Sequence, residues 1–399
     1  MAAAPGQEVI SPAEWELRKK RSSRIRLRIL GSTTAAIGVV LAIHLLNITV
    51  PILNPSHEPT RAPELQEISG WINSEPLTLE SLQGKVVLLD FWTYTCVNCI
   101  RTLPVLKRWY DRYKEYGLVI VGVHSPEFEF EKVRENLEAA TAQYGVNWPI
   151  AQDNAFATWD AYNNSAYPSK YLLDKEGVIR YSHFGEGAYA ATEQTIRELL
   201  AETGVAIQQV PKTIIPRFDR DFRATIGVLT GETREMYAGY LRNTNPRSLY
   251  IKNPEYFTTA DYAAAFFQDP GDYDNHSLYV QGLWHKGPES LTHARVTENH
   301  EDYIGLKFYG TTVNVVLNYK GDTPFRVVAT LGGQPIPEES RGADIQYDED
   351  GKSFFRVDSP RMYRVVELPE YDGLELRLSS NSDQFSIFAF TFGSYAKGP

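Results

Sequence analysis

The chain of 399 residues has room for two or three domains of about 150 residues each, which excludes a single small binding module. Its 43% hydrophobic and 23% charged residues describe a globular protein rather than a disordered one, and its 28 glycines and 23 prolines follow no triplet period. The net charge of −10 is unevenly spread: residues 1–28 hold seven bases against three acids, so the remainder is more acidic still and a poor surface for nucleic acid.

The first element in chain order is the segment 29–53, which contains no Asp, Glu, Lys or Arg. About 20 helical residues cross a bilayer core of ~30 Å, so this segment is long enough to span one. The bases ahead of it hold that end in the cytoplasm by the positive-inside rule. Residues 1–28 therefore read as a cytoplasmic tail, 29–53 as a single-pass anchor in the inner membrane of a bacterium, and the rest as extracytoplasmic (periplasmic). The alternative is a cleaved signal peptide: the apolar stretch 35–46 has the length of its hydrophobic region, but no Ala-x-Ala site follows. Both readings export the same domains. Residues 54–66, dense in proline and charge, read as a linker.

From 67 to 205 strands and helices alternate. The runs 85–92 and 118–123 are apolar and β-branched, as strands buried on both faces are. Between them Leu103, Leu106, Tyr110 and Tyr113 repeat at steps of three and four, predicting a helix over 99–116, and Phe130, Val133, Leu137 and Ala140 predict a second one. Strands 169–173 and 178–184 flank the turn Asp174-Lys175-Glu176-Gly177, and a helix over 192–202 closes this α/β unit. Residues 206–225 read as a second linker. From 226 to 399 the helical period fades, apart from one short helix predicted over 233–241. Strand candidates are 278–284, 303–308, 313–319, 325–331, 354–357, 363–368, 374–378 and 385–392, whose close spacing predicts an all-β sandwich or jelly roll.

The only two cysteines stand as Cys96-Val97-Asn98-Cys99, between a predicted buried strand and a predicted helix. One helical turn brings two sulfurs at this spacing within bonding reach. The unpaired N–H groups and partial positive charge of the helix N-terminus stabilise a thiolate at Cys96. Cys96 then attacks a disulfide, and Cys99, one turn in and more buried, resolves the mixed species. A zinc site needs four ligands and finds no second cysteine pair and no suited histidine pair; no metal or other cofactor is expected. A plain structural disulfide closes only a four-residue loop, which stabilises little. No peroxidatic Pro-x-x-x-Thr-x-x-Cys pattern accompanies the pair, which makes thiol peroxidase the weaker redox reading.

Asp90-Phe91-Trp92, then Cys96-x-x-Cys99 and Pro104, resemble the active-site segment of thioredoxins. The longer stretch from Trp92 through Thr93-Tyr94-Thr95 to Pro104 is similar to the soluble C-terminal part of DipZ-type thiol–disulfide interchange proteins. Those proteins join a TlpA-like thioredoxin domain to a carbohydrate-binding-module-like β domain, and the likeness covers about residues 65–399. The resemblance implies protein thiols and disulfides as substrates. DipZ proteins carry a multi-span CcdA-like domain in front, whereas this chain offers at most one span, so a separate membrane electron donor of the CcdA/DsbD kind is expected.

The resemblance also assigns residues. Asp90 matches the carboxylate that relays a proton to the resolving thiol; read from the sequence alone, it is the one charge in an apolar run, either buried at a cost or reaching solvent at the strand end. Pro168 matches the cis-proline that faces the disulfide and turns the backbone of Tyr167 toward a substrate chain; an ordinary trans proline opening a strand is the alternative. Trp92 and Tyr94 are candidates to flank the substrate groove, with core packing equally open for Trp92. Thr95 stands where thioredoxins place a tryptophan.

In the β region Tyr237, Tyr240, Tyr250, Tyr279 and Trp284 are candidates for a sugar-stacking platform, against ordinary sandwich core. Asp269, Asp272 and Asp274 miss the spacing of a calcium loop and read as a solvated turn. The sequence thus predicts a membrane-anchored, extracytoplasmic thiol–disulfide oxidoreductase. The competing reading is an envelope protein that binds glycan or protein and carries an accessory redox domain.

Overall fold

The computed structural model describes residues 60–213, 231–244, 248–319, 321 and 323–393. The basic tail, the apolar segment 29–53, residues 54–59 of the first predicted linker and 214–225 of the second lie outside the described residues. Among the described residues no helix is long and apolar enough to cross a membrane.

The N-terminal domain is a six-stranded sheet in the order β1-β4-β3-β2-β5-β6. Its strands are β1 (Trp71–Ile72), β2 (Val86–Trp92), β3 (Leu118–His124), β4 (Ile150–Gln152), β5 (Ser169–Leu173) and β6 (Ile179–Phe184). β2, β3 and β4 run parallel; β1, β5 and β6 are antiparallel to their neighbours. Every residue of β2 is buried because both sheet faces are covered. Val86, Leu88 and Trp92 pack with Leu103, Leu106 and Trp109 of α1 (Val97–Tyr113) and with Ile196, Leu199 and Leu200 of the closing helix, whereas Val87, Leu89 and Phe91 pack on Tyr162 and Tyr171. Pro104 sits inside α1 without ending it. A 3₁₀ turn follows, and Gly117, at φ +102°, stops the helix where a side chain would be strained.

The second predicted helix starts later than its apolar spacing suggests. Phe130 belongs to a 3₁₀ turn (Glu129–Lys132), Val133 is extended, and α2 covers Arg134–Gln143. Phe130 is apolar because it faces the C-terminal domain, not because it lines a helix stripe. A short α3 (Ala157–Ala161) precedes β5, and α4 (Tyr189–Glu202) closes the domain. Residues at both margins pack onto it: the Ala62 N–H donates to the Gly177 carbonyl, and Ile207 and Val210 join its core.

The C-terminal domain is mainly β, and its described residues contain one 11-stranded sheet, its strands numbered β7 to β17 in chain order, instead of two separate sheets. Four of the predicted short strands are halves of two long ones, β11 (Tyr303–Asn318) and β16 (Arg361–Ser379). Register shifts next to Gly310 and Val313 bend β11, so its first half pairs with β9 (Leu278–Lys286) and its second with β17 (Ser386–Gly393). Opposite Tyr309 the partner is Gly373, where a Cβ would come within 2.3 Å of the tyrosine ring. The folded-over sheet encloses its own apolar core, including Val313, Val315, Leu317, Leu376, Leu378, Phe385, Ile387 and Phe390. The helix predicted over 233–241 does not form. Met236–Tyr237 is instead a strand, β7, on the edge of β17, with Met236 in the β core and Tyr237 facing the other domain.

The two domains share an apolar seam. Phe388 of β17 wedges between Phe128 and Phe130, with ring centroids 5.2 and 5.0 Å away, beside Val316, Met362 and Ala389.

Candidate active site

Cys96 is the N-cap of α1, in extended conformation, and its Sγ accepts the Cys99 N–H at 3.3 Å. That bond spends one of the helix's orphan donors on the sulfur best placed to carry negative charge. Cys96 is partly exposed and Cys99 fully buried; both are free thiols. Burial pushes the Cys99 thiol well above the usual range, and the hydrogen bond and charge of Cys96 and the charge of Asp90 add to it, against a backbone bond at Thr93. The pair is therefore asymmetric: one sulfur open to a partner, one held protonated behind it.

Asp90 lies mid-strand in β2, in register with Gly122 of β3 and Lys170 of β5. Its carboxylate is not solitary, as its apolar surroundings in the sequence suggested. Lys170 Nζ stands 3.5 Å from Asp90 Oδ1, and neither side chain is more than 1% exposed. Burial raises the Asp90 carboxyl, and Lys170 partly opposes the rise. The Tyr167–Pro168 peptide is cis. Tyr167 is anchored by its hydroxyl, which donates to the Ser125 carbonyl at 2.8 Å, and by its ring against Trp159 at 4.4 Å.

A cleft of about 680 Å³ opens at Cys96. Val97, Asn98, Pro126, Trp159 and Tyr167 line one side, and Glu232, Glu235, Tyr237, Arg242 and Phe392 of the C-terminal domain line the other. Trp92 and Tyr94, candidates to flank this groove, do not line it, and for Trp92 the core alternative holds. Both are 1% exposed, and their rings pack on buried His124, Trp92 edge-on and Tyr94 stacked. The end of β2 points them into the core, so the aromatic wall falls to Trp159 and Tyr167. Burial pushes His124 down to about 3, which keeps this ring neutral.

Sequence reasoning missed the acidic groups of the cleft. Glu131 is fully buried and accepts the Thr95 hydroxyl at 2.5 Å, the Phe128 N–H at 3.0 Å and the Glu127 N–H. Burial lifts its carboxyl to about 7, against its hydrogen bonds. It thus ties the residue before Cys96 to the loop that meets the C-terminal domain. There Glu127 accepts the Tyr237 hydroxyl at 2.8 Å and Arg242 Nη2 at 3.1 Å. Glu235 is exposed at the cleft mouth, and partial desolvation and the nearby Glu127 raise its carboxyl. The one local signal was the alternation of acids and aromatics from Glu127 to Glu131, which is a strand-like period in a segment that forms no strand.

The AhpC/TSA family model matches residues 60–182, and the model described as thioredoxin like C-terminal domain matches 233–393. Thiol-disulfide oxidoreductase YkuV of Bacillus subtilis is 32% identical over 142 residues, which is 95% of its length and 35% of this chain. The chain belongs to the thioredoxin-like thiol–disulfide oxidoreductases. This oxidoreductase is also homologous to Protein DipZ of Mycobacterium bovis, at 34% identity over 339 residues. That match takes in 83% of this chain, which spans 43% of the length of DipZ. A thioredoxin-like protein solved in its oxidized form is 30% identical, with 36% of this chain and 97% of the other covered at a TM-score of 0.34.

The aromatics nominated in the oxidoreductase's β domain form no open sugar platform. Trp284 is fully buried and donates its Nε1–H to the Gln281 carbonyl at 2.8 Å, and Tyr279 is stacked on Tyr273. Tyr237 and Tyr250 pair with each other beside the seam, and Tyr240 pairs with Tyr262. Asp269 accepts the hydroxyls of Tyr273 and Tyr303, each at 2.6 Å. No cluster suited to a metal ion occurs among the described residues.

Proposed function

We propose that this oxidoreductase works on the extracytoplasmic side of a bacterial inner membrane, tethered by residues 29–53, and exchanges disulfides with protein thiols through Cys96 and Cys99. The observation that carries the exchange is the asymmetry of the pair, an accessible sulfur capping a helix and a buried one a turn behind. In the reducing direction the Cys96 thiolate attacks one sulfur of a partner disulfide, forming a mixed disulfide and releasing the first partner thiolate. Cys99 then gives its proton to Asp90 and attacks Cys96 Sγ. The second partner thiolate leaves, and the protein holds the Cys96–Cys99 disulfide. Two electrons have passed to the partner, and the reverse sequence oxidises a dithiol. Tyr167, held before Pro168, offers its backbone to the partner chain. A membrane electron donor of the CcdA/DsbD kind restores the dithiol.

Mixing the reduced protein with a peptide disulfide tests the chemistry. The expected result is two peptide thiols released per Cys96–Cys99 disulfide formed; loss of no protein thiol refutes it. A membrane-impermeant maleimide applied to cells with a permeabilised outer envelope tests the location. Labelling of Cys96 before the inner membrane is opened is expected, and labelling only afterwards refutes it.

A further inference from the structure

We propose that the C-terminal β domain is the second wall of the exchange site, and that the partner enters this cleft as a single extended chain segment carrying its cysteine. The proposal rests on the exchange reading above and adds the class of partner that the site admits.

Three observations carry it. The first is composition of the cleft: the wall opposite Trp159 and Tyr167 belongs to Glu235, Tyr237, Arg242 and Phe392, so the nucleophile lies between domains rather than on an open face. The second is that this wall is fastened. Phe388 is wedged into the N-terminal domain, Tyr237 and Arg242 bind Glu127, and Arg101 of the active-site helix reaches the Phe392 carbonyl at 3.5 Å. Arg101 also meets Glu186 at 3.4 Å, with both side chains nearly buried, so helix, loop and β17 are joined a turn from Cys96. A wall held by an apolar wedge and partly buried polar bonds stays in place while substrates exchange.

The third observation is the match between shape and chemistry. A volume of about 680 Å³ is in the range of sites that enclose a small ligand, which suits a few residues of chain and not a protein face. Cys96 is only partly exposed and Cys99 not at all, so a disulfide lying flat on a folded surface meets the two walls before it meets sulfur. Among the described residues the N–H and C=O of Tyr167 take no hydrogen bond within the protein. An extended segment brings the complementary backbone groups, as in strand addition. On the opposite wall Glu235 and Arg242 set an acceptor and a donor beside the same segment. One wall orients the backbone, and the other reads the side chains that flank the cysteine.

The test uses the full chain as Cys99→Ser, loaded through Cys96 with a ten-residue peptide. The peptide carries one cysteine and a benzophenone side chain two residues away. After irradiation, adducts are expected in 232–242 or 391–392; adducts confined to 156–167 overturn the proposal. A second measurement compares rates with a peptide disulfide, hydroxyethyl disulfide and a folded protein bearing a surface disulfide. The peptide is expected to react at least tenfold faster than the folded protein, and Glu235→Trp to lower the ratio of peptide to hydroxyethyl rates at least fivefold. Equal rates for peptide and folded protein, or an unchanged ratio, overturn it. If Cys96 forms no mixed disulfide with any of the three, the exchange reading itself fails, which is a separate result.

Discussion

Replacing Glu131 by Gln tests the most unusual electrostatic feature of the site. The carboxyl is fully buried, accepts hydrogen bonds from Thr95 and two backbone N–H groups and, among the described residues, forms no ion pair, and its burial raises it from 4.5 to about 7. A group whose folded value is raised contributes most to stability below its unfolded value, and that contribution is lost as pH climbs through the folded value. For Glu131 the loss falls between pH 4.5 and about 7 and, at about 1.4 kcal/mol per pH unit, amounts to about 3 kcal/mol. Glutamine does not titrate. It also presents its amide N–H groups to donors that want an acceptor, a cost of about 1–3 kcal/mol at every pH. At pH 5 the natural protein is therefore expected to be the more stable of the two, and by pH 8 its advantage vanishes or reverses. Denaturant unfolding of both proteins at pH 5, 6, 7 and 8, followed by tryptophan fluorescence, measures the difference directly. A gap that stays constant from pH 5 to 8, or widens, refutes the assignment of a buried carboxyl that ionises near neutrality.

Three further outcomes are expected. Cys99→Ser should accumulate mixed disulfides with partner proteins, because attack survives without resolution, and Cys96→Ser should trap few; equal trapping on gels run without reductant would remove the assigned roles. Asp90→Asn strands Lys170 as a buried charge, so a loss of about 3–5 kcal/mol is expected, with much of it recovered when Lys170 is also made Met. In the refolded variant the step that deprotonates Cys99 should slow and lose its dependence on pH; an unaltered pH–rate profile leaves Asp90 a structural partner of Lys170. Phe388→Ala empties the seam between Phe128 and Phe130 and should cost about 3–5 kcal/mol in unfolding, whereas a cost below about 1 kcal/mol would mean that the domains do not depend on this wedge.

What the sequence made legible was local. The Cys96-x-x-Cys99 spacing needs one helical turn to acquire meaning, and β2 is readable because a strand covered on both faces is apolar throughout. What stayed hidden depends on partners far along the chain. Lys170 reaches Asp90 only through the antiparallel register of β5 on β2, and in its own strand it is a single charge near the start of a short run. Glu131 reads as a surface acid until Thr95 and the backbone of its own loop are folded onto it. β1 and β4, at two and three residues, are too short for any period to register. In the sequence each of the long strands β11 and β16 has the pattern of two short strands, because their bends interrupt the alternation that betrays a strand. For Trp92 the groove and the core are equally open readings, and Tyr94 is a groove candidate, because nothing in their neighbours' order reveals which way the strand end faces.

The C-terminal domain looks self-sufficient when only its inward residues are counted, and β17 shows why that count is incomplete. Ile387 and Phe390 enter the β core, while Phe388 and Ala389, on the same strand, enter the core of the other domain. A strand that carries apolar side chains on both faces belongs to two cores at once, and neither domain can release it without uncovering a large aromatic ring. The polar bonds at the cleft, from Tyr237 and Arg242 to Glu127, run over this seam and inherit its rigidity. From Glu127 the connection continues through its backbone N–H to Glu131, and from Glu131 to the hydroxyl of Thr95 beside the nucleophile. The position of Cys96 relative to the far wall is therefore a property of the packed seam, not of a hinge. A change in how the β domain sits must be felt at the sulfur, because the links between them are close-packed rings and a run of hydrogen bonds that becomes fully buried where Glu131 meets Thr95.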